Sequence, residues 1–279
     1  MDFEEAERMT WKELFSGFDE LHAITYSSGV NFVYNVLSMF ETAEIIFGSE
    51  EVMSFELQDI MSFQCKLIER IKEKAGKAKI TKIDETEISF DFIEETDGKP
   101  LYPLSMIIGF PRPIQLKRLF RDMAGLGTEE IYLTGTELGE KSYMQSNIVE
   151  KGTAFELLRD GTVQAKSTHI PKLSLYQNLK ECVENILKTH YSKKVILIAL
   201  DNVQSKISLT EFLDNFDGNI SEYKIFAAIG SERGWTDKER NLLVQNGFTL
   251  CSMGTRVLRT ETASTVAASI ILSKMGVLS

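Results

Sequence analysis

Val195-Ile196-Leu197-Ile198-Ala199-Leu200 is the longest purely aliphatic run of the chain, and its six residues limit what it can become. A bilayer-spanning helix needs roughly 20 apolar residues. A strand buried in a sheet uses a run of this length fully, so 194–200 is predicted as a buried strand. Further strands are predicted at 104–109, 130–134, 223–228 and 249–252. Helical patterns separate them: one opens at Phe110-Pro111-Arg112-Pro113 and runs to about 127, and others fall at 175–189, 209–216 and 236–245. Strand and helix in alternation predict an α/β fold, a mostly parallel sheet with helices on both faces.

The pattern is different before residue 100. Glu94-Glu95-Thr96-Asp97-Gly98-Lys99-Pro100 is polar and broken by Gly and Pro, which marks a linker. Ahead of it, 79–83 and 87–92 alternate as two strands around an Asp84-Glu85 turn. Residues 1–74 read as β/α units, with strands at 23–27 and 43–47 and helices at 31–40 and 55–74. The expected division is therefore an atypical α/β region over 1–74, a short β segment with linker over 75–99, and one α/β domain over 100–279.

The charge is divided along the same line. The net charge of −10 combines 22 acidic and 10 basic residues in 1–100 with 19 and 21 in 101–279. An acidic first third repels phosphate backbones, so any RNA contact is expected on the C-terminal part. The first residues lack the basic and apolar regions of a secretion signal. Cys65, Cys182 and Cys251 are odd in number and far apart, as suits a reduced cytoplasmic protein. His22, His169 and His190 are scattered, so no metal site is expected. No GxSxG, Walker loop or GxGxxG is present.

The chemistry concentrates near the C-terminal end of the chain. Phe248-Thr249-Leu250-Cys251-Ser252-Met253-Gly254-Thr255-Arg256-Val257-Leu258-Arg259-Thr260-Glu261-Thr262-Ala263 reads as a short strand, a loop and the start of a small-residue helix. Gly254 allows a positive φ and a sharp turn. Thr260 or Thr262 is expected to cap the helix, with Glu261 at the positive end of its dipole. Arg256 and Arg259 can hold a phosphate or an anionic intermediate, or pair with Glu232 or Glu261. Cys251 is expected to be a core residue. On physical grounds alone the run is either a ligand loop or a structural turn.

The run Met253–Ala263, MGTRVLRTETA, resembles the signature LGPRILRTETA of the small-subunit rRNA uridine-N3 methyltransferases. Upstream, Ile229-Gly230-Ser231-Glu232-Arg233-Gly234-Trp235 is similar to that family's IGPEGGF. Glu140-Lys141-Ser142-Tyr143-Met144-Gln145-Ser146, Gln164-Ala165-Lys166-Ser167-Thr168 and Ile170-Pro171 look like a branch of the same family. The resemblance covers roughly 100–279. Residues 1–74 look only faintly like phospholipase-D-type modules, and no His-x-Lys dyad of that chemistry occurs.

The resemblance implies a SPOUT fold with a C-terminal trefoil knot, dimerisation through the knot, and S-adenosylmethionine (AdoMet) bound by three C-terminal loops. It implies methylation of a uridine at N3 in small-subunit rRNA. The cofactor pocket would be built from Leu200, Ile229, Gly230, Glu232, Gly234, Met253, Gly254, Val257 and Leu258, with Arg256 and Arg259 acting on RNA phosphate or developing charge. The 76–95 strands would be what remains of an RNA-gripping barrel. Arg233 stands where the pattern has glycine, and would clash with the cofactor if the backbone there required positive φ. A slot blocked in that way leaves the alternative of a catalytically inactive relative that binds RNA or a protein.

Overall fold

The computed structural model describes residues 20–21, 53–56, 75–83, 87–150, 153–190 and 194–278. Two compact units are present: residues 1–100 with 162–169, and residues 101–161 with 170–279. The first holds a four-stranded antiparallel sheet of β1 (Glu20–Leu21), β2 (Met53–Glu56), β3 (Ala75–Ile83) and β4 (Glu87–Thr96), in the order β1-β3-β4-β2. The two alternating segments are therefore strands, each longer than expected. Phe55 and Glu56, read as the start of a helix, belong instead to β2, where they pair with Ile88 and Glu87. The expected elements at 23–27, 31–40, 43–47 and 57–74, and the Asp84-Glu85 turn, lie outside the described residues.

The second unit is built on seven strands: β5 (Tyr102–Gly109), β6 (Thr128–Thr134), β7 (Lys172–Tyr176), β8 (Val195–Leu200), β9 (Ile207–Ser208), β10 (Lys224–Ile229) and β11 (Thr249–Ser252). They lie in the order β7-β6-β5-β10-β8-β11-β9, and every pair is parallel. The connecting helices are α1 (Pro113–Gly125), α2 (Asn147–Glu150), α3 (Thr153–Gln164), α4 (Leu179–His190), α5 (Leu209–Asp214), α6 (Asp237–Gln245) and α7 (Thr260–Lys274).

Alternate residues of the central strands feed two cores, which is the signature of a sheet covered on both sides. Met106, Ile108, Ile198, Ala227 and Ile229 pack with Leu119 and Phe120 of α1 and Ala267 and Ile271 of α7. Ile107, Ala199, Phe226 and Ala228 face the opposite way, against Val183 and Ile186 of α4 and Leu243 of α6. Small residues let α7 approach closely: Ala263, Ser264, Ala267 and Ala268 are all buried, and the helix packs on α1, β5, α5 and β10.

One helical reading in this unit needs correction. The segment 175–189 begins with the end of a strand, because Lys172-Leu173-Ser174-Leu175-Tyr176 pairs in register with Glu130–Thr134 at the sheet edge. Helix α4 starts only after Asn178, whose Oδ1 accepts from the Glu181 N–H at 2.9 Å. Helix α3 was not anticipated from the pattern. Among the described residues no helix is long and apolar enough to cross a membrane.

Candidate functional site

Three loops meet at the carboxyl ends of β8, β10 and β11, the edge of an open parallel sheet where crevices form. The first loop follows Leu200 and is organised by the buried Asp201. One carboxylate oxygen of Asp201 accepts from the N–H groups of Gln204 (2.6 Å) and Val203 (3.2 Å). The other accepts from Nε of the buried Arg240 at 2.9 Å, and Arg240 also donates to Asp237 at 2.9 Å. A buried charge is tolerated when paired and hydrogen-bonded in this way.

The second loop is the turn 231–234. The Gly234 N–H donates to the Ser231 carbonyl at 2.8 Å, and Gly234 adopts φ +72°. A Cβ on Gly230 would lie 2.9 Å from the Gly234 carbonyl carbon, so backbone meets backbone there and only glycine fits. Trp235 is buried and its indole N–H donates to the Leu200 carbonyl at 3.1 Å, tying the second loop to the first. The third loop is tied in by Thr260, whose hydroxyl donates to the Gly230 carbonyl at 3.2 Å. Neither Thr260 nor Thr262 caps α7, contrary to expectation. Arg259 occupies the cap position without a side-chain cap bond.

The three loops enclose a cavity of about 250 Å³. Its wall includes Leu200, then Ile229, Gly230, Glu232 and Gly234, then Met253, Arg256, Val257 and Leu258. Gly254 and Arg259 are not part of the wall. Gly254 takes φ +96°, the positive value its turn was expected to need. Arg256 and Arg259 are exposed, and among the described residues neither forms an ion pair. Glu232 pairs instead with Arg112, Oε1 to Nε 3.1 Å, and that carboxylate, followed by Tyr143, raises the Arg112 pKa above its ordinary value.

Arg233 does not take positive φ, which belongs to Gly234. Its guanidinium reaches Glu140 at 3.7 Å and its side chain is 69% exposed, so the cavity stays open. Cys251 is fully buried in the core behind the site, and burial pushes its thiol up to about 11. An apolar slot of Leu200, Ile229, Met253 and Leu258, rimmed by backbone groups freed at glycines, suits a ligand with an adenine ring and polar ends.

A second cavity, about 390 Å³, also borders the 231–233 segment. It is lined by Phe110 and Arg112 after β5, by Leu138, Gly139, Glu140, Ser142 and Tyr143 after β6, and by the same Ser231, Glu232 and Arg233. Sequence reasoning did not find it. Its one local signal was the glycine ending β5: a Cβ on Gly109 would lie 2.5 Å from the Ser231 nitrogen, so that strand end must be bare for the turn to sit on it.

The RNA methyltransferase domain family model matches residues 97–272. The chain is 34% identical over 251 residues to the ribosomal RNA small subunit methyltransferase E of Treponema pallidum, an alignment covering 84% of this chain and 90% of that protein. It is 36% identical over 175 residues to the ribosomal RNA small subunit methyltransferase E 1 of Borreliella burgdorferi, covering 63% and 68% respectively. The fold is similar to the crystal structure of a ribosomal RNA small subunit methyltransferase E from Neisseria gonorrhoeae bound to S-adenosyl methionine. The TM-score is 0.63 at 18% identity, over 80% of this chain and 92% of that one.

Proposed function

The chain belongs to the RNA methyltransferase family, as an rRNA small-subunit methyltransferase of SPOUT type, and from that premise we propose that it binds AdoMet in the three-loop cavity and methylates a uridine at N3. The observation that carries this reading is the convergence of Leu200, the Ile229–Gly234 segment and Met253–Leu258 on one cavity at the sheet's carboxyl edge. AdoMet, when bound, supplies an electrophilic methyl group. The chain's own work is to position the acceptor base and favour its anionic form.

In this reading Leu200, Ile229, Met253, Val257 and Leu258 hold the adenosine. Gly230, Gly234 and Gly254 let the backbone approach, and Glu232 closes the wall. Arg256 and Arg259, exposed and unpaired among the described residues, take RNA phosphate or developing charge. Two further features belong to the proposal. The return of α7 from beyond β8 to pack on α1 and β5 supports a trefoil knot. Val203 and Val257, 72% and 86% exposed at the cavity, support a homodimer in which a second copy covers this face.

The proposal includes a methyltransferase domain over 100–279, preceded by the atypical region over 1–74 and the β segment and linker over 75–99, which together contribute the strands of the four-stranded sheet. In this reading the enzyme acts on rRNA in the cytoplasm.

Calorimetric titration with AdoMet tests the reading directly. One site per chain is expected, together with about 2.7 kcal/mol of added stability when free AdoMet is a hundredfold above Kd. Labelled methyl groups should then appear at N3 of a uridine in small ribosomal subunits. Absence of AdoMet binding overturns the reading.

A further inference from the structure

Ser231 is more than nine-tenths buried, and among the described residues its hydroxyl has no hydrogen-bond partner. Native proteins rarely leave such a group unsatisfied without a ligand or water to meet it. Ser231 lies in the walls of both cavities, as do Glu232 and Arg233. The two cavities therefore share this short segment as lining.

The lining of the second cavity has a chemical character of its own. Phe110, Leu138 and Tyr143 give it apolar surface, suited to the faces of a planar ring. Around them stand the donors Arg112, Ser142 and Ser231 and the acceptors Glu140 and Glu232. Arg112 is a planar fork of donors that stays charged, held by Glu232 at 3.1 Å with its side chain 62% exposed. A uracil ring presents the complement: two carbonyl oxygens flanking one N–H donor.

We propose that the second cavity receives the uracil of a nucleotide turned out of its helix, with Glu232 accepting the N3 proton and Arg112 holding the carbonyl oxygen on which the negative charge develops. The inference rests on the AdoMet reading of the neighbouring cavity. Enzymes that modify a base take it out of the stack and read its pairing edge in a pocket of this kind. The proton passes from N3 to the Glu232 carboxylate. The N3 electron pair forms a bond to the methyl carbon as the bond from that carbon to sulfur breaks. The sulfonium becomes a neutral thioether, and the uracil leaves as its neutral N3-methyl form. Cytosine is refused, because its N3 carries a lone pair that faces the Glu232 carboxylate instead of a proton.

The test compares wild type with Glu232→Gln, Arg112→Ala and Arg112→Lys. Binding of uridine and cytidine 5′-monophosphates is followed by NMR on protein saturated with S-adenosylhomocysteine. Uridine monophosphate should bind wild type in preference to cytidine monophosphate, and Arg112→Ala should weaken it about tenfold or more. With small ribosomal subunits and saturating AdoMet, Glu232→Gln should lower kcat by about 10²–10⁴-fold. Its residual rate should climb with pH as solvent base replaces the carboxylate, and Arg112→Lys should recover part of what Arg112→Ala loses. Equal binding of the two nucleotides, or wild-type rates in Glu232→Gln, overturns the inference. So does loss of AdoMet binding in Glu232→Gln alone, which would make that residue a cofactor contact. Failure of wild type itself to bind AdoMet would instead sink the reading of the first cavity.

Discussion

At the scale of single residues, the site is held by a few bonds between loops distant in sequence. The Trp235 indole reaching the Leu200 carbonyl is one, and the related pattern has Phe at this place, which keeps the ring and loses the donor. Trp235→Phe is expected to cost about 0.5–1.5 kcal/mol, read from urea unfolding, and to loosen AdoMet binding by a similar amount. Arg233 illustrates the opposite case, a conspicuous substitution with little structural consequence. Because Gly234 carries the positive φ and Arg233 faces solvent, Arg233→Gly should leave AdoMet affinity within about twofold, as calorimetry would show. Those two loops were legible in the sequence because each is a short continuous motif whose glycines and arginines sit at fixed offsets. Arg112 was not: it reaches Glu232 only because β5 pairs with β10, a contact between segments more than a hundred residues apart.

At the scale of elements, the strands of the second unit were legible where apolar runs were bounded by Gly or Pro, as at β5 and β10, or by charged residues, as at β8. The sequence misled where two elements adjoin without such a break. Leu175 and Tyr176 extend the helical spacing of α4, yet Leu175 is 49% exposed and the segment takes its place as an edge strand beside β6. Nothing local to the motifs revealed that the end of β5 supports the turn after β10. Gly109→Ala tests that support, since the added Cβ would meet the Ser231 nitrogen at 2.5 Å and the Gly230 carbonyl carbon at 3.0 Å. The variant should lose about 1–3 kcal/mol in thermal or urea unfolding and bind AdoMet at least tenfold more weakly. Wild-type stability and affinity would mean the strand end yields without disturbing the turn.

At the scale of the whole molecule, pH dependence is written into the buried core as well as the site. Burial raises the Cys251 thiol from 9.0 to about 11, so the folded state favours its neutral form. The unfolded chain ionises first as pH rises, so this contribution to stability is fully present below pH 9 and is lost progressively between 9 and about 11. Cys251→Ala should therefore flatten the fall in urea midpoint over that interval, even though its stability at pH 7 is lower. The strand order has a consequence of a different kind. Placing β10 between β5 and β8 gives two chambers one common partition, residues 231–233. A partition cannot adjust for one occupant without being felt by the other. Whatever factor the first occupant gives to the affinity of the second, the second returns to the first.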